Sequence, residues 1–190
     1  MVKEMNIKLD IISEEDIELL RKWRMSPEVT RYMFTDPIIT IEQQRKWYQA
    51  ICNNKEDYYW IIKCNDIRIG YISITNIDRE NKSCEIGHYI GETSYLRKGI
   101  SKIIESNVYD FVFEKLKLET IVFMMLKENE AAYCLHQSLG AVNYETDVKE
   151  CIKNEKRYEV IALCMTKDIW SKQNSVYSKV IINTQDDRRI

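Results

Sequence analysis

The chain has 190 residues, 45% hydrophobic and 11% aromatic, with 28 basic side chains against 30 acidic ones and a net charge of −2. That length suits one domain with one core, and only 5 Gly and 2 Pro exclude a collagen-like or disordered chain. So balanced a charge supplies no field to gather nucleic acid or an anionic membrane surface, and apolar runs such as Ile121–Leu126 are too short to span a bilayer. Met1–Lys8 lacks the apolar core of an export signal, so the expected location is cytoplasmic. The six cysteines are scattered without a Cys-x-x-Cys pair, and Cys84 and His88 have no neighbours to complete a metal shell. Reduced thiols packed as small hydrophobes, and no metal, are expected.

Residues 6–12 alternate Ile7, Leu9 and Ile11 with polar neighbours, which predicts a strand. Ser13 with Asp16 marks a capped helix start, and Pro27 marks that helix's end. After a loop broken by Pro37, Thr40 and Gln43 form a capping box for a second helix with Trp47, Tyr48 and Ile51 on its apolar face. Two strands, 57–64 and 67–75, flank Asn65-Asp66, a pair suited to a tight hairpin. A strand over 83–90 leads through Gly99 into a helix reaching Lys115, with Ile100, Ile104, Val108 and Val112 at helical spacing. Residues 118–126 read as a buried strand, 130–138 as a short helix with Gly140 as its left-handed cap, and 141–148 and 157–166 as two last strands. The order is β-α-α-β-β-β-α-β-α-β-β, a mixed α/β chain. Residues 1–170 form one domain on this reading. The polar tail 171–190 is expected to fray, with Val176, Val180 and Ile181 as the only material for a further helix or strand.

Two strand-to-helix junctions carry the chemistry. At the first, Tyr89, Ile90 and Gly91 lead into Leu96, Arg97, Lys98, Gly99, Ile100 and Ser101. Unpaired N–H groups at a helix start, a glycine that lets backbone approach, and two cations make an anion site. The run is neither Gly-x-x-x-x-Gly-Lys-Ser/Thr nor Gly-x-Gly-x-x-Gly, which disfavours a nucleoside triphosphate. At the second junction, Asn129 opens the last helix, where an N-cap alone explains it, and His136 lies on that helix.

Together the junctions resemble those of the GNAT superfamily of acetyl-CoA-dependent N-acetyltransferases, over residues 6–166. Gly99 matches the family's Gln/Arg-x-x-Gly-x-Gly/Ala, with Leu96 and Ser101 at its outer positions. Asn129, Ala132, Leu135 and Gly140 match Asn-x-x-Ala-x-x-Leu-Tyr-x-x-x-Gly-Phe, with His136 at the Tyr and Ala141 at the Phe position. The resemblance implies a mixed, strongly twisted sheet of about seven strands flanked by about four helices. Glu85-Ile86-Gly87 is similar to the ribosomal-protein alanine acetyltransferase branch. The block Leu20–Val29 with Tyr32–Thr35, Ile41 and Trp47 is similar to bacterial acetyltransferases of nucleotide-linked 4-amino sugars, which serve pseudaminic acid synthesis; Met25 stands where those commonly carry Asn.

The implied reaction is direct transfer of an acetyl group from acetyl-CoA to a primary amine through a ternary complex. Backbone of Tyr89 and Ile90 would pair with pantetheine, the N–H groups from Arg97 to Ser101 would hold the pyrophosphate with Leu96 beside them as a further cofactor contact, and Asn129 would bond the CoA arm. His136 is the implied acid for the departing thiolate, and Glu85 the candidate base. Trp23, Arg24, Tyr32 and His88 are candidate contacts for the acceptor, Arg as a phosphate fork and the aromatics as stacking faces. By the period of two, Glu85 and His88 lie on opposite faces of one strand. The expected partner is a small-molecule amine, with a homodimer as the assembly considered and neither nucleic acid nor membrane. Two alternatives stand beside this: acetylation of protein N-termini or small amines, and an acyl-CoA-binding protein with little catalysis.

Overall fold

Tight turns with local sequence signals build the antiparallel part of the sheet. The computed structural model describes residues 5–173 and 177–184. In it β1 (Ile7–Ile11) is followed by α1 (Ile17–Met25), α2 (Pro27–Thr30) and α3 (Ile41–Asn53). β2 (Tyr58–Cys64) turns through Asn65 and Asp66, at φ 50° and 63°, into β3 (Ile67–Asp78); two left-handed residues are what a two-residue hairpin demands. β4 (Ser83–Ile90) pairs antiparallel with β3, and α4 (Ile100–Asp110) carries the chain to β5 (Thr120–Leu126), parallel to β4. There follow α5 (Glu130–Ser138), β6 (Val142–Tyr144), β7 (Glu150–Lys153), β8 (Lys156–Thr166), α6 (Lys167–Ser171) and β9 (Ile181–Ile182). The strands lie in the order β6-β8-β5-β4-β3-β2-β1-β9, with β7 paired to β8. This is the mixed α/β architecture expected, with nine strands among the described residues rather than seven.

The helix signals act where the sequence puts them, with two refinements. Thr40 N donates to Gln43 Oε1 (2.8 Å) while Gln43 N donates to Thr40 Oγ1 (3.2 Å), which closes the capping box of α3. Ser13 N and Oγ both donate to Asp16 Oδ2, but they close a 3-10 turn (Glu14–Asp16) ahead of α1. Pro27 not only follows the end of α1 but opens α2 as its first residue, where a missing N–H costs nothing. α4 continues through Phe111–Lys115 as a wider π-type turn, with Leu116 N donating to Phe111 O at 3.1 Å, so the helical segment does reach Lys115.

Three expectations are corrected. The strand over 141–148 is only Val142–Tyr144. A further strand, β7, forms a hairpin with β8 through Asn154 and Glu155, at φ 50° and 62°. The tail does not fray from Ser171: β9 lies parallel to β1, Asn183 Nδ2 donates to Asp10 Oδ1 (2.6 Å), and Trp60 Nε1 donates to Asn183 O (2.7 Å). Val176 lies outside the described residues.

The apolar face of α4 (Ile100, Ile104, Val108) packs on one side of the sheet with Ile7, Trp60, Ile72 and Phe123. On the other side α1 and α3 bury Leu20, Trp23 and Ile51 against Ile12 and Ile61. Trp23 is therefore core, 5% exposed, and its indole lies flat on Gly91, where an added Cβ would come within 2.3 Å of the ring. Gly91→Ala should destabilise the fold by about 2 kcal/mol through overpacking. A thermal melt would read that as a fall of about 6 °C for a domain of this size.

Candidate active site

β4 and β5 stay paired for three residues only. Ser83, Cys84 and Glu85 match Thr120, Ile121 and Val122, after which each strand keeps only its outer partner, β3 or β8. The sheet therefore splits, and beyond Glu85 the inner edge of β4 offers N–H and C=O groups with no strand partner. A cavity of about 430 Å³ occupies the split. Ile86–Tyr89 and Phe123–Met125 wall it from the two strands, and α1, α3, α5 and the loop between α2 and α3 enclose it. That size and concavity suit a small organic substrate.

At one end of the split the chain passes through Arg97 (φ 60°) and Gly99 (φ 75°) into α4. Gly99 is the N-cap and has no side chain to satisfy the first N–H groups, and no atom lies within 4 Å of where its Cβ would be. Leu96, Arg97, Lys98 and Gly99 are exposed, Ser101 half-buried and Ile100 buried as the first rung of the core. Lys98 lies over the Tyr95 ring at 5.0 Å. An open strand edge running toward free helix N–H groups flanked by two cations is a shape that fits an amide-bearing arm ending in a pyrophosphate.

Of the candidate acceptor and acid–base residues, Arg24, Tyr32, His88 and His136 line the cavity, together with Tyr89 and Asn129 of the candidate cofactor contacts; Trp23 and Glu85 do not. The face assignment for β4 holds: His88 points to α4, while Tyr89, which shares Glu85's parity, stacks on Tyr71 at 5.3 Å. Burial pushes the Tyr71 hydroxyl up to about 12 and Tyr89 higher still, so both are neutral phenols in the wall. Asn129 is the N-cap of α5, its Oδ1 accepting from Ala132 N at 3.2 Å. Arg24 is tied to the end of α2 through Thr30 Oγ1 (3.3 Å) and to the α2–α3 loop through Thr35 Oγ1 (2.7 Å), and its half-burial lowers its pKa.

His136 is nearly buried and stacks on Phe123 with ring centres 4.0 Å apart. Its Nδ1 lies 3.0 Å from Glu105 Oε2, and His88 Nδ1 lies 2.8 Å from Glu105 Oε1. Tyr109, one turn along α4, donates its hydroxyl to Oε2 at 2.6 Å and also lies 3.2 Å from His136 Nδ1. Oε1 receives no aligned hydrogen bond, and His88 Nδ1 is the polar group set against it. Burial alone would raise the pKa of Glu105, but the two imidazoles outweigh it and hold the carboxyl well below the usual range. Sequence reasoning missed Glu105, which reads there as an ordinary helical glutamate; its one signal is Tyr109 four residues on.

It also missed a clamp on one wall of the cavity. Lys153, 7% exposed in the β7–β8 hairpin, donates to the carbonyls of Thr30, Arg31 and Met33 at 3.1, 2.9 and 2.9 Å. Asn154 Nδ2 adds a bond to Asp36 Oδ2 (2.9 Å), so a distant hairpin fixes the segment that presents Tyr32, Met33 and Phe34 to the cavity. Among the described residues no group of three or more His, Cys, Asp or Glu is placed to hold a metal, and no helix is long and apolar enough to cross a membrane.

Known proteins resemble this chain in sequence and in fold. "Acetyltransferase PseH" of Campylobacter jejuni subsp. jejuni serotype O:23/36 (strain 81-176) is 28% identical over 136 residues, 72% of this chain and 83% of that protein. "Spermidine N(1)-acetyltransferase" of Escherichia coli (strain K12) is 22% identical over 135 residues, 71% and 72% of the two chains. A crystal structure of spermidine N-acetyltransferase from Vibrio cholerae in complex with CoA and spermine superposes with a TM-score of 0.80 over 88% of this chain and 99% of that one, at 17% identity, a likeness of fold. The family described as "Acetyltransferase (GNAT) domain" matches residues 6–142, and with the split sheet and the Gly99 junction in place the chain belongs to that family, an acetyl-CoA-dependent N-acetyltransferase.

Proposed function

We propose that the acceptor is the 4-amino group of a nucleotide-linked sugar. The observation that carries this is the make-up of the cavity wall: among the described residues Arg24 is its one permanently charged side chain, Tyr32, Phe34 and Trp47 supply aromatic faces, and no carboxylate lines it. A phosphorylated, ring-containing acceptor finds a cation and stacking surfaces there. A polyamine, cationic at several points, would meet Arg24 and no counter-charge. The similarity to PseH and the sugar-nucleotide-like block at Leu20–Val29 support the same acceptor.

Acetyl-CoA supplies the activated acetyl thioester. The open edge of β4 at Tyr89 and Ile90 pairs with the pantetheine amides, and an N–H there receives the charge that develops on the carbonyl oxygen. The N–H groups from Arg97 to Ser101, with the Arg97 and Lys98 side chains, hold the pyrophosphate. Asn129 bonds the arm through Nδ2, its Oδ1 being engaged in capping. Arg24 and Tyr32 orient the acceptor. His136 protonates the leaving sulfur, and the base role falls to His88, which lines the cavity, rather than to Glu85, which does not.

Thiol release from acetyl-CoA tests the acceptor with UDP-linked 4-amino sugars, spermidine and peptides bearing free N-termini. Turnover of the sugar nucleotide with kcat/KM at least about 100-fold above the others is expected, since lost phosphate and stacking contacts are together worth about 3 kcal/mol. Turnover of spermidine or a peptide with none of the sugar nucleotide overturns the assignment.

A further inference from the structure

His88 and His136 reach the cavity from different elements, β4 and α5, yet both turn Nδ1 to the same buried carboxylate of α4. The Nε2 edge of each ring lies opposite that contact. Glu105 itself is 0% exposed and does not line the cavity, so it touches neither substrate. A buried carboxylate is costly without a counter-charge, and two imidazolium ions on one carboxylate would leave a net positive charge equally uncompensated. The neutral arrangement for the trio is one carboxylate and one imidazolium, with the other ring neutral.

We infer that Glu105 is a positioning residue that holds a single positive charge between His136 and His88, so that the two rings act as acid and base in one turnover while the cluster keeps its net charge. This deepens the acid–base assignment made above and rests on it. Before reaction His136 is the imidazolium and His88 is neutral with its proton on Nδ1. The amine nitrogen forms the C–N bond and gives one proton to His88 Nε2. The C–S bond breaks, its electron pair goes to sulfur, and sulfur takes the Nε2 proton of His136. Amide and thiol result, the charge has moved from His136 to His88, and Glu105 has remained a carboxylate. Amine nitrogen and leaving sulfur are bound to the same carbon in the tetrahedral intermediate, so an acid and a base sharing one counter-ion suit its geometry. After product release, water in the cavity returns the proton from His88 to His136.

Few charged groups face this cluster. α4 contributes Glu105 and Tyr109, whose hydroxyl is held neutral by burial and by Glu105. β3 sets Ile72 opposite His88, and β5 sets Phe123 against His136. Arg24 of α1 is the other charged side chain lining the cavity. Among the described residues no second carboxylate is in contact with either ring.

A 15N imidazole NMR titration of the wild-type chain tests the charge sharing without any acceptor. Two separate steps with one net positive charge across the pair at pH 7 support it; a common step near about 6.5, or two neutral or two charged rings at pH 7, overturns it. Glu105→Gln keeps the shape and removes the charge. With a UDP-linked 4-amino sugar, its basic limb in kcat should move down by at least about one pH unit and kcat fall about 100-fold, with the KM for acetyl-CoA unchanged. Glu105→Asp should recover part of the shift. A lower kcat on an unmoved pH profile means a structural role and overturns the inference. Should Glu105→Gln not fold, the wild-type titration decides. A wrong acceptor shows as no turnover by the wild type, which leaves the titration intact.

Discussion

His136→Ala is expected to lower kcat about 100- to 1,000-fold while leaving the KM for acetyl-CoA within about twofold. The ring lines the split between β4 and β5, its Nδ1 faces Glu105, and Phe123 stacks on it, so its orientation is fixed and Nε2 is the atom left to serve the cavity. The alanine also removes a packed aromatic ring, so folding must be checked by the same thermal melt; His136→Asn keeps a polar group near Nδ1 and separates the two effects. The loss should shrink for a thioester whose thiol is more acidic, because such a leaving group needs no proton. An enzyme with unchanged kcat from pH 6 to 9 after His136→Ala contradicts the acid role.

Lys153→Met should carry the second large effect, and it should be felt far from the substitution. Three carbonyls at the end of α2 and in the α2–α3 loop lose an ammonium donor, and hydrogen bonds to a charged group are worth about 1.5–3 kcal/mol each, discounted because the loop relaxes. A net cost of about 3 kcal/mol is expected, seen as a fall of about 9 °C in Tm. With Tyr32 and Phe34 no longer held, the KM for the acceptor should rise at least about tenfold, and the KM for acetyl-CoA should not change. Equal rises in both would mean that the hairpin supports the whole site rather than its acceptor wall.

The elements legible in the sequence were those specified by residues near one another. The capping box at Thr40 and Gln43, the left-handed pair Asn65-Asp66, the bounds of α5 and the Gly140 cap all arise within a few residues and appear as expected. β7 was not legible because Glu150–Lys153 is short, charged and set on an outer strand, with no apolar alternation. β9 exists through partners distant in sequence, Asp10, Trp60 and Asn107, that no local signal reports.

The site divides the same way. Glycine and cations at residues 97–99 and the Asn129 cap could be read from motif and spacing, whereas Trp23 and Glu85 could not be placed until the fold put one in the core and left the other off the cavity wall. Glu105 was hidden for a physical reason. It sits beside Ile104 on a helix whose apolar stripe explains the helix fully, and only the approach of β4 and α5 gives its carboxylate two imidazole partners.

The most direct measurement is a crystal structure of the chain with CoA and a UDP-linked 4-amino sugar. The account predicts the pantetheine along the open edge of β4 at residues 86–90 and the pyrophosphate on the N–H groups of residues 97–101. It also predicts the sulfur within about 3.5 Å of His136 Nε2 and the sugar amine within hydrogen-bond reach of His88 Nε2. A sulfur positioned away from His136, or an amine delivered to Glu85 instead of His88, would contradict it.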